Sequence, residues 1–390
     1  VRTTRLNIFF ASFAVLFSLL ISGCGGINIS QRIIPAADDW NMAGGNPEQQ
    51  NNSKSVLEPP LYLKWSYGLD GGVGFSGISA ADAIVFVNSQ AGELFSLDIS
   101  TGGKIGRLGF LGKDASTTPL IDGNNIIVSY AGDNDYSLAS YSVDKGLVNW
   151  KKNLGYLQTS PVMKDGNIYV GSLNNKEYKL NAQNDSVSWK FDAKAQIHST
   201  SCVWEDKVIF GADNGLLYCL NTSDGSLAWS YKTSAPVTAT PLAYDNKVYA
   251  GSYDSNYYCI NISSGTLEWK NNLKTKISGG SALFNTSVVF GGIDGNLYSL
   301  NASDGVLNWK FSTGSVITAS PLVSGRNIYF SSFDFFVRIL EGDTGKELWK
   351  YELEGKSKTS PVIWHDYLFV IGDVDIYCFN NKLVAPTESK

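Results

Sequence analysis

Apolar positions in this chain come in short runs broken by Gly, Asn, Asp and Ser, and residues 237–273 show the pattern well. "VTATPLAY" reads as a strand, "DN" as a turn, "KVYAGSY" as a strand and "DSN" as a turn. "YYCINI" is a third strand, "SSG" a turn and "TLEWKNNL" a fourth strand. The runs are rich in β-branched and aromatic residues, which suit a pleated, half-buried surface. Gly225, Gly265, Gly305 and Gly345 end the third turn of their units, where positive φ carries no Cβ clash.

This unit recurs. Residues 217–229 read "LYCLNTSDGSLAW", residues 257–269 "YYCINISSGTLEW" and residues 297–309 "LYSLNASDGVLNW". Trp150, Trp189, Trp229, Trp269, Trp309 and Trp349 follow one another at steps of 39 or 40 residues. One step before Trp150 stands Gly106, in the degenerate copy "LFSLDISTGGKIG"; one further back is Trp65, in "LYLKWSYGL". Four strands at a period of about 40 residues make one blade of a β-propeller. Strand-triplet starts near residues 73, 116, 158, 199, 237, 278, 317 and 357 imply eight blades. The last unit, "TSPVIWHDYLFVIGDVDIYCFN", has no Trp-bearing fourth strand, whereas the Trp65 segment is a fourth strand with nothing before it. The two halves should pair and close the ring, removing exposed strand edges. The expected fold is all-β: an eight-bladed propeller over residues 59–382, its N-terminal strand closing the last blade, with a tail at 383–390. The tryptophans should pack between neighbouring blades.

The first residues stand apart. Arg2 and Arg5 precede an apolar run that meets "ISGC" at Ile21–Cys24, the order of a secretory signal. The cysteine at the cut makes this stretch resemble a bacterial lipoprotein signal, which implies a signal peptide at 1–23 and lipidation of Cys24. In Gram-negative lipoproteins Asp after the cysteine implies inner-membrane retention, so Gly25 points to the outer membrane; in another host the anchor would be the outer face of the cell membrane. Residues 24–58, rich in Asn, Gln, Ser, Gly and Pro, read as the lipidated N-terminus and a flexible tether. Removing the signal takes two of the 31 basic side chains and none of the 36 acidic ones. The mature chain is therefore more acidic than the formal −5, and with no basic run, nucleic acid is not an expected partner.

The pattern (Leu/Tyr)-Tyr-small-Leu-Asn-x-x-(Asp/Ser)-Gly-x-x-x-Trp resembles the pyrroloquinoline-quinone-type propeller repeat. The opening "DWNMAGGNPEQQNN" is similar to the lead-in of secreted members. Among lipoproteins with eight such blades the resemblance is to the family of outer membrane protein assembly factor BamB, over about residues 38–382. It implies fold more firmly than activity. Quinoprotein alcohol dehydrogenases of this repeat class carry adjacent cysteines beside the cofactor and calcium-binding carboxylates. Cys219, Cys259 and Cys378 instead share one repeat position, filled by Ser96, Ser140 and Ser299 elsewhere, and no Cys-Cys occurs. Four unpaired, buried thiols are expected, too far apart for disulfides. His198 and His365 lie on different blades without a second ligand at metal spacing. Asp133-Asn134-Asp135 reads as a turn, since the calcium loop's closing Glu is missing. No cofactor, metal or catalytic motif is expected.

One face of such a ring would carry Phe75, Tyr156, Gln158, His198, Tyr253, Phe333, Phe335 and Lys358. Tyr156, His198, Tyr253, Phe333 and Phe335 are the candidate partner-binding residues. Phe335 stands where Gly215 and Gly295 stand in sibling turns, and an aromatic there suits a binding anchor. Hydroxyls at Thr118, Ser160, Ser201, Thr240, Ser281, Ser320 and Ser360 should bridge blades near the channel. The leading functional expectation is a non-catalytic, membrane-anchored envelope scaffold for a protein partner, of the kind that serves outer-membrane protein assembly. The arginine-containing loop "LSLRG", through which BamB meets its barrel partner, has no counterpart here, so no contact residue carries over. The alternative is a surface carbohydrate or envelope-polymer binder, and behind it a quinoprotein enzyme.

Overall fold

The computed structural model describes residues 26–29, 33–34, 36, 38–74, 77–109, 115, 117–131 and 136–382. Among them the regular elements are strands, gathered into eight sheets. No helix among the described residues is long and apolar enough to cross a membrane. Blade 5 shows the unit: Leu242–Tyr244, Lys247–Gly251, Asn256–Asn261 and Leu267–Asn272, antiparallel and sequential from channel to rim. A register shift at Cys259/Ile260 recurs at matching places in other blades, and such a bulge sharpens the local twist. The ring closes as expected: Tyr62–Gly68 forms the outer strand of blade 8, with Trp65 opposite Cys378.

Neighbouring blades meet through their tryptophans. The indole N–H of each donates across the seam to a backbone carbonyl: Trp65 to Ile99, Trp150 to Ala182, Trp189 to Thr222, Trp229 to Ile262, Trp269 to Ala302, Trp309 to Gly342 and Trp349 to Leu61, at 2.6–3.1 Å. A buried indole thus supplies both apolar area and a satisfied donor. The turn glycine of the following blade lies against the ring. A Cβ on Gly265 (φ +72°) would come within 2.7 Å of Trp229, and one on Gly225 (φ +73°) within 2.6 Å of Trp189. Conformation and contact both demand glycine there.

The N-terminal segment departs from the tether reading. Among the described residues of 26–58, Ile27, Ile29, Ile33, Trp40, Met42, Gln49, Asn51, Ser53 and Leu57 are buried. From Trp40 the chain runs around the channel wall. Trp40 bridges Ala80 of blade 1, and the carbonyls of Asn41, Pro47, Glu48, Gln50 and Asn51 accept from Ile121, Val203, Ala243, Leu283 and Val323. Those donors belong to, or immediately flank, the innermost strands of blades 2, 4, 5, 6 and 7. Asn52–Ser53 then pairs parallel with Leu322–Ser324, giving blade 7 a fifth strand. The reason is a backbone account: an inner strand has one edge turned to the channel, and its buried N–H groups need acceptors. A segment rich in Asn, Gln, Gly and Pro can follow so irregular a path, which composition alone presents as a linker.

Candidate functional site

Two kinds of turn share the upper face of the ring, the turns between second and third strands and the crossovers from one blade's outer strand to the next blade's inner one. Between them opens a cavity of about 670 Å³. The segment from Trp40 to Ser53, a strap along the channel wall, contributes Trp40, Gly44, Gln49 and Asn51 to its lining. Thr118, Ser160, Thr200, Thr240, Ser320 and Ser360 ring the wall. This corrects the expected hydroxyl set at two places. Ser201 and Ser281 fill the slot that is proline in other blades (Pro241, Pro321, Pro361), and Thr200 and Gly280 occupy the ring position. Part of the ring does link blades: Gly77 N–H donates to Thr118 Oγ1, Thr118 N–H to Ser160 Oγ and Ser160 N–H to Thr200 Oγ1, at 3.0–3.2 Å.

Ser201 and Ser281 face outward into blade seams. Ser201 Oγ donates to Glu177 Oε1 at 2.6 Å, and Ser281 shares a 2.5 Å hydrogen bond with Tyr257 Oη. Glu177 is fully buried and its Oε2 has no partner. Burial pushes its carboxyl up to about 8, against the lesser opposing effect of the Ser201 hydrogen bond.

His198 sits at the cavity mouth. Its Nδ1 is 2.9 Å from Gln158 Oε1 and its Nε2 3.4 Å from Asp213 Oδ2. Tyr253 and Lys358 also line the mouth, and Lys276 Nζ lies 5.5 Å from the Tyr253 ring centre. Tyr156, Phe333 and Phe335 do not line the cavity. Tyr156 is half-buried, its carbonyl accepting from Leu173 N–H. Phe333 is half-buried under Lys356, whose Nζ is 6.0 Å from the ring. The structure therefore gathers His198 and Tyr253 at the mouth and sets Phe333 and Phe335 together on the blade 7 turn. Phe75, Asp133-Asn134-Asp135 and Cys24 lie outside the described residues.

Phe335 is 41% exposed and has φ +72°, the left-handed conformation that its siblings Gly215 and Gly295 adopt at +74° and +79°. A side chain in that region costs about 1–2 kcal/mol. A brace holds the turn. Arg338 takes the place of Tyr258 and Tyr298, whose hydroxyls donate to Asp254 and Asp294 in their own turns. Arg338 is buried and grips Asp334 through two nitrogens, at 3.0 and 2.5 Å, while reaching Glu347 at 3.2 Å. Burial works to raise the Asp334 carboxyl, but the hydrogen bonds from Arg338 and Ser332 outweigh it and hold it below the usual range. Sequence reasoning missed this brace, although an Arg in a slot otherwise Tyr was its signal.

The donor set fits a quinone-and-calcium centre poorly. Asp213 is the one carboxylate among the described residues lining the cavity, and it faces His198. Among the described residues no three His, Cys, Asp or Glu side chains cluster as metal ligands. Cys202, Cys219, Cys259 and Cys378 are buried and unpaired, and burial pushes Cys219 and Cys259 up to about 12, away from thiolate chemistry.

Comparison with solved structures finds the same ring at low identity. BamB from Moraxella catarrhalis is 15% identical, covering 82% of this chain and 100% of its own, with a TM-score of 0.69. A quinohemoprotein alcohol dehydrogenase from Pseudomonas putida HK5 is 12% identical, covering 90% and 82%, with a TM-score of 0.75. The computationally designed protein Ika8 is 14% identical, covering 80% and 98%, with a TM-score of 0.69. These likenesses show the fold alone. No curated protein matches the sequence. The family model described as outer membrane protein assembly factor BamB matches residues 40–176, 178–274 and 254–384, and with nearly the whole ring covered, the chain belongs to that family.

Proposed function

We propose that this chain is a non-catalytic, lipid-anchored scaffold of the cell envelope, seated in an outer membrane through Cys24, and that its upper face docks a protein partner in outer-membrane protein assembly. Family membership supports the setting. The observation that carries the docking face is Phe335: a large apolar side chain, substantially exposed, kept in a conformation that glycine would adopt freely. Backbone strain retained at a substantially exposed aromatic is a cost, and such strain gathers at binding sites. The Arg338–Asp334 brace keeps the turn in place.

Phe335→Gly tests this reading. The turn should survive, because its siblings at Gly215 and Gly295 use glycine. The relieved strain and the added freedom of the unfolded chain nearly cancel, leaving stability within about 1 kcal/mol. Binding, measured by crosslinked pull-down from envelope membranes and then by titration, should weaken by about 2 kcal/mol or more, roughly thirty-fold. A lower melting temperature with unchanged binding would make Phe335 a packing residue and move the interface elsewhere. A second reading, capture of an envelope carbohydrate, draws support from the hydroxyl-lined cavity with Tyr253 at its mouth. Tyr253→Ala would then reduce glycan retention and leave the pull-down unchanged.

A further inference from the structure

One seam differs from the other seven. Blade 1 has Gly106 where its siblings have tryptophan, opposite Ser96 as Trp269 is opposite Cys259. The space is filled from elsewhere in the chain. A Cβ on Gly106 would come within 2.9 Å of Ile27 Cα. Ile27 is fully buried, and its carbonyl accepts from Tyr141 Oη at 2.8 Å. Val143 O holds the place of Ala182 O and Ala302 O, which accept from indoles; here the donor is Ile29 N–H, at 2.7 Å. Gly146 (φ +66°), the sibling of the glycines that lie on indole rings, instead faces the Tyr141 hydroxyl, Asn28 and the Ile27 carbonyl. Ile33 N–H then donates to Asn124 Oδ1 at 2.6 Å on the lower face.

We propose that the segment beginning at Gly26 replaces the missing tryptophan of blade 1 and thereby turns the rim of blades 1 and 2 towards the lipid surface. This rests on the anchoring reading, in which the lipid is joined to Cys24. Only two residues separate Cys24 from Ile27, a reach of about 10 Å. A free tether over 24–58 would instead span roughly 30 Å and leave the ring unoriented. The rim beside the wedge can take a bilayer surface: Ile105 and Leu147 are 41% and 49% exposed, with Lys104, Lys145 and Lys151 exposed around them; Leu227 and Leu307 are equally exposed on other blades, so the closeness of Cys24 to Ile27 selects this rim. Aliphatic side chains among lysines are what an anionic lipid interface takes up. The upper cavity and Phe335 then open along the membrane plane.

The test separates orientation from lipidation. The mature chain from Cys24 is coupled through that thiol to a maleimide phospholipid in phosphatidylethanolamine–phosphatidylglycerol vesicles; the other four cysteines are buried. Exposed lysines are acylated with an impermeant reagent and quantified by mass spectrometry, against the uncoupled chain. Lys104, Lys145 and Lys151 should label at least about three-fold less on vesicles, and Lys232, Lys270 and Lys310, on blades 4–6, should label as in solution. Gly106→Trp should expel the segment and abolish the difference between rims. Ile27→Asp, which ejects the segment without loading the seam, serves if that variant does not fold. Equal labelling of both rims in the unaltered chain would overturn the proposal, as would protection that persists after the segment is expelled. The mass of the mature chain from cells is a separate arm. An unacylated Cys24 would sink the anchoring reading and leave the vesicle result standing.

Discussion

The seam between blades 5 and 6 and the seam between blades 1 and 2 solve one problem with different parts. At the first, Trp269 is nearly buried, caps Ala302 O, takes Gly305 against its face and packs beside Tyr249 and Tyr257. At the second, two isoleucines and a backbone N–H from the N-terminal segment do the same work around Gly106 and Val143. The lesson is that the ring requires a filled seam and a capped carbonyl, and does not require that the filler belong to the repeat. One seam built from a separate segment joins the N-terminus to the body, which an eighth tryptophan would not do.

The comparison can be broken most severely at the regular seam. Trp269→Ala should cost about 3–5 kcal/mol, as large aromatic truncations in cores do, and should leave Ala302 O without its donor; urea unfolding at constant m-value measures it. Ile27→Ala should cost about 2–5 kcal/mol if the wedge is core, and almost nothing if residues 24–58 hang free. The same denaturation series decides between the two. An effect confined to higher pH belongs to the seam of blades 3 and 4. The folded state raises the Glu177 carboxyl from 4.5 to about 8, so it binds that proton more tightly than the unfolded chain does. Its stability penalty is absent below about pH 4.5, grows as pH rises towards 8 and then levels. Glu177→Gln, which can still accept from Ser201 through Oε1, should raise the melting temperature at pH 8 more than at pH 5. A difference that stays flat or shrinks with pH would mean that Glu177 ionises freely in the fold.

The architecture was legible because the repeat repeats. Trp150 to Trp349 set the period, and the orphan strand at Trp65 announced the closure that pairs it with Cys378. What escaped was what happens once. The strap over residues 40–53 makes irregular backbone hydrogen bonds to strands up to 272 residues away, and no local pattern encodes such partners. Its only sequence trace was apolar residues inside a polar stretch: Ile27, Ile29 and Ile33, then Trp40 and Met42. The hydroxyl ring was misplaced by one at Ser201 and Ser281, because those residues replace a proline and mimic its neighbour. Their partners Glu177 and Tyr257, polar where sibling blades carry Leu217 and Leu297, were the signal that both serines face a seam. At the upper face the turn around Phe335 was visible as a broken glycine rule, whereas the part of the cavity lining that the strap supplies could not be foreseen.

The strap has a consequence for how the chain is made. Asn51 can lodge against Val323 only after blade 7 exists, and Trp65 can meet Cys378 only when the last strand has emerged. The part synthesised first therefore finds its place last. Each blade can form early from local hairpins, but the circle stays open, with edges and an unfilled seam exposed, until the C-terminus arrives. Contacts of such long sequence separation make folding slow and the waiting intermediate prone to aggregation. A chain of this design is most vulnerable in the interval when every blade is present and the latch is still loose.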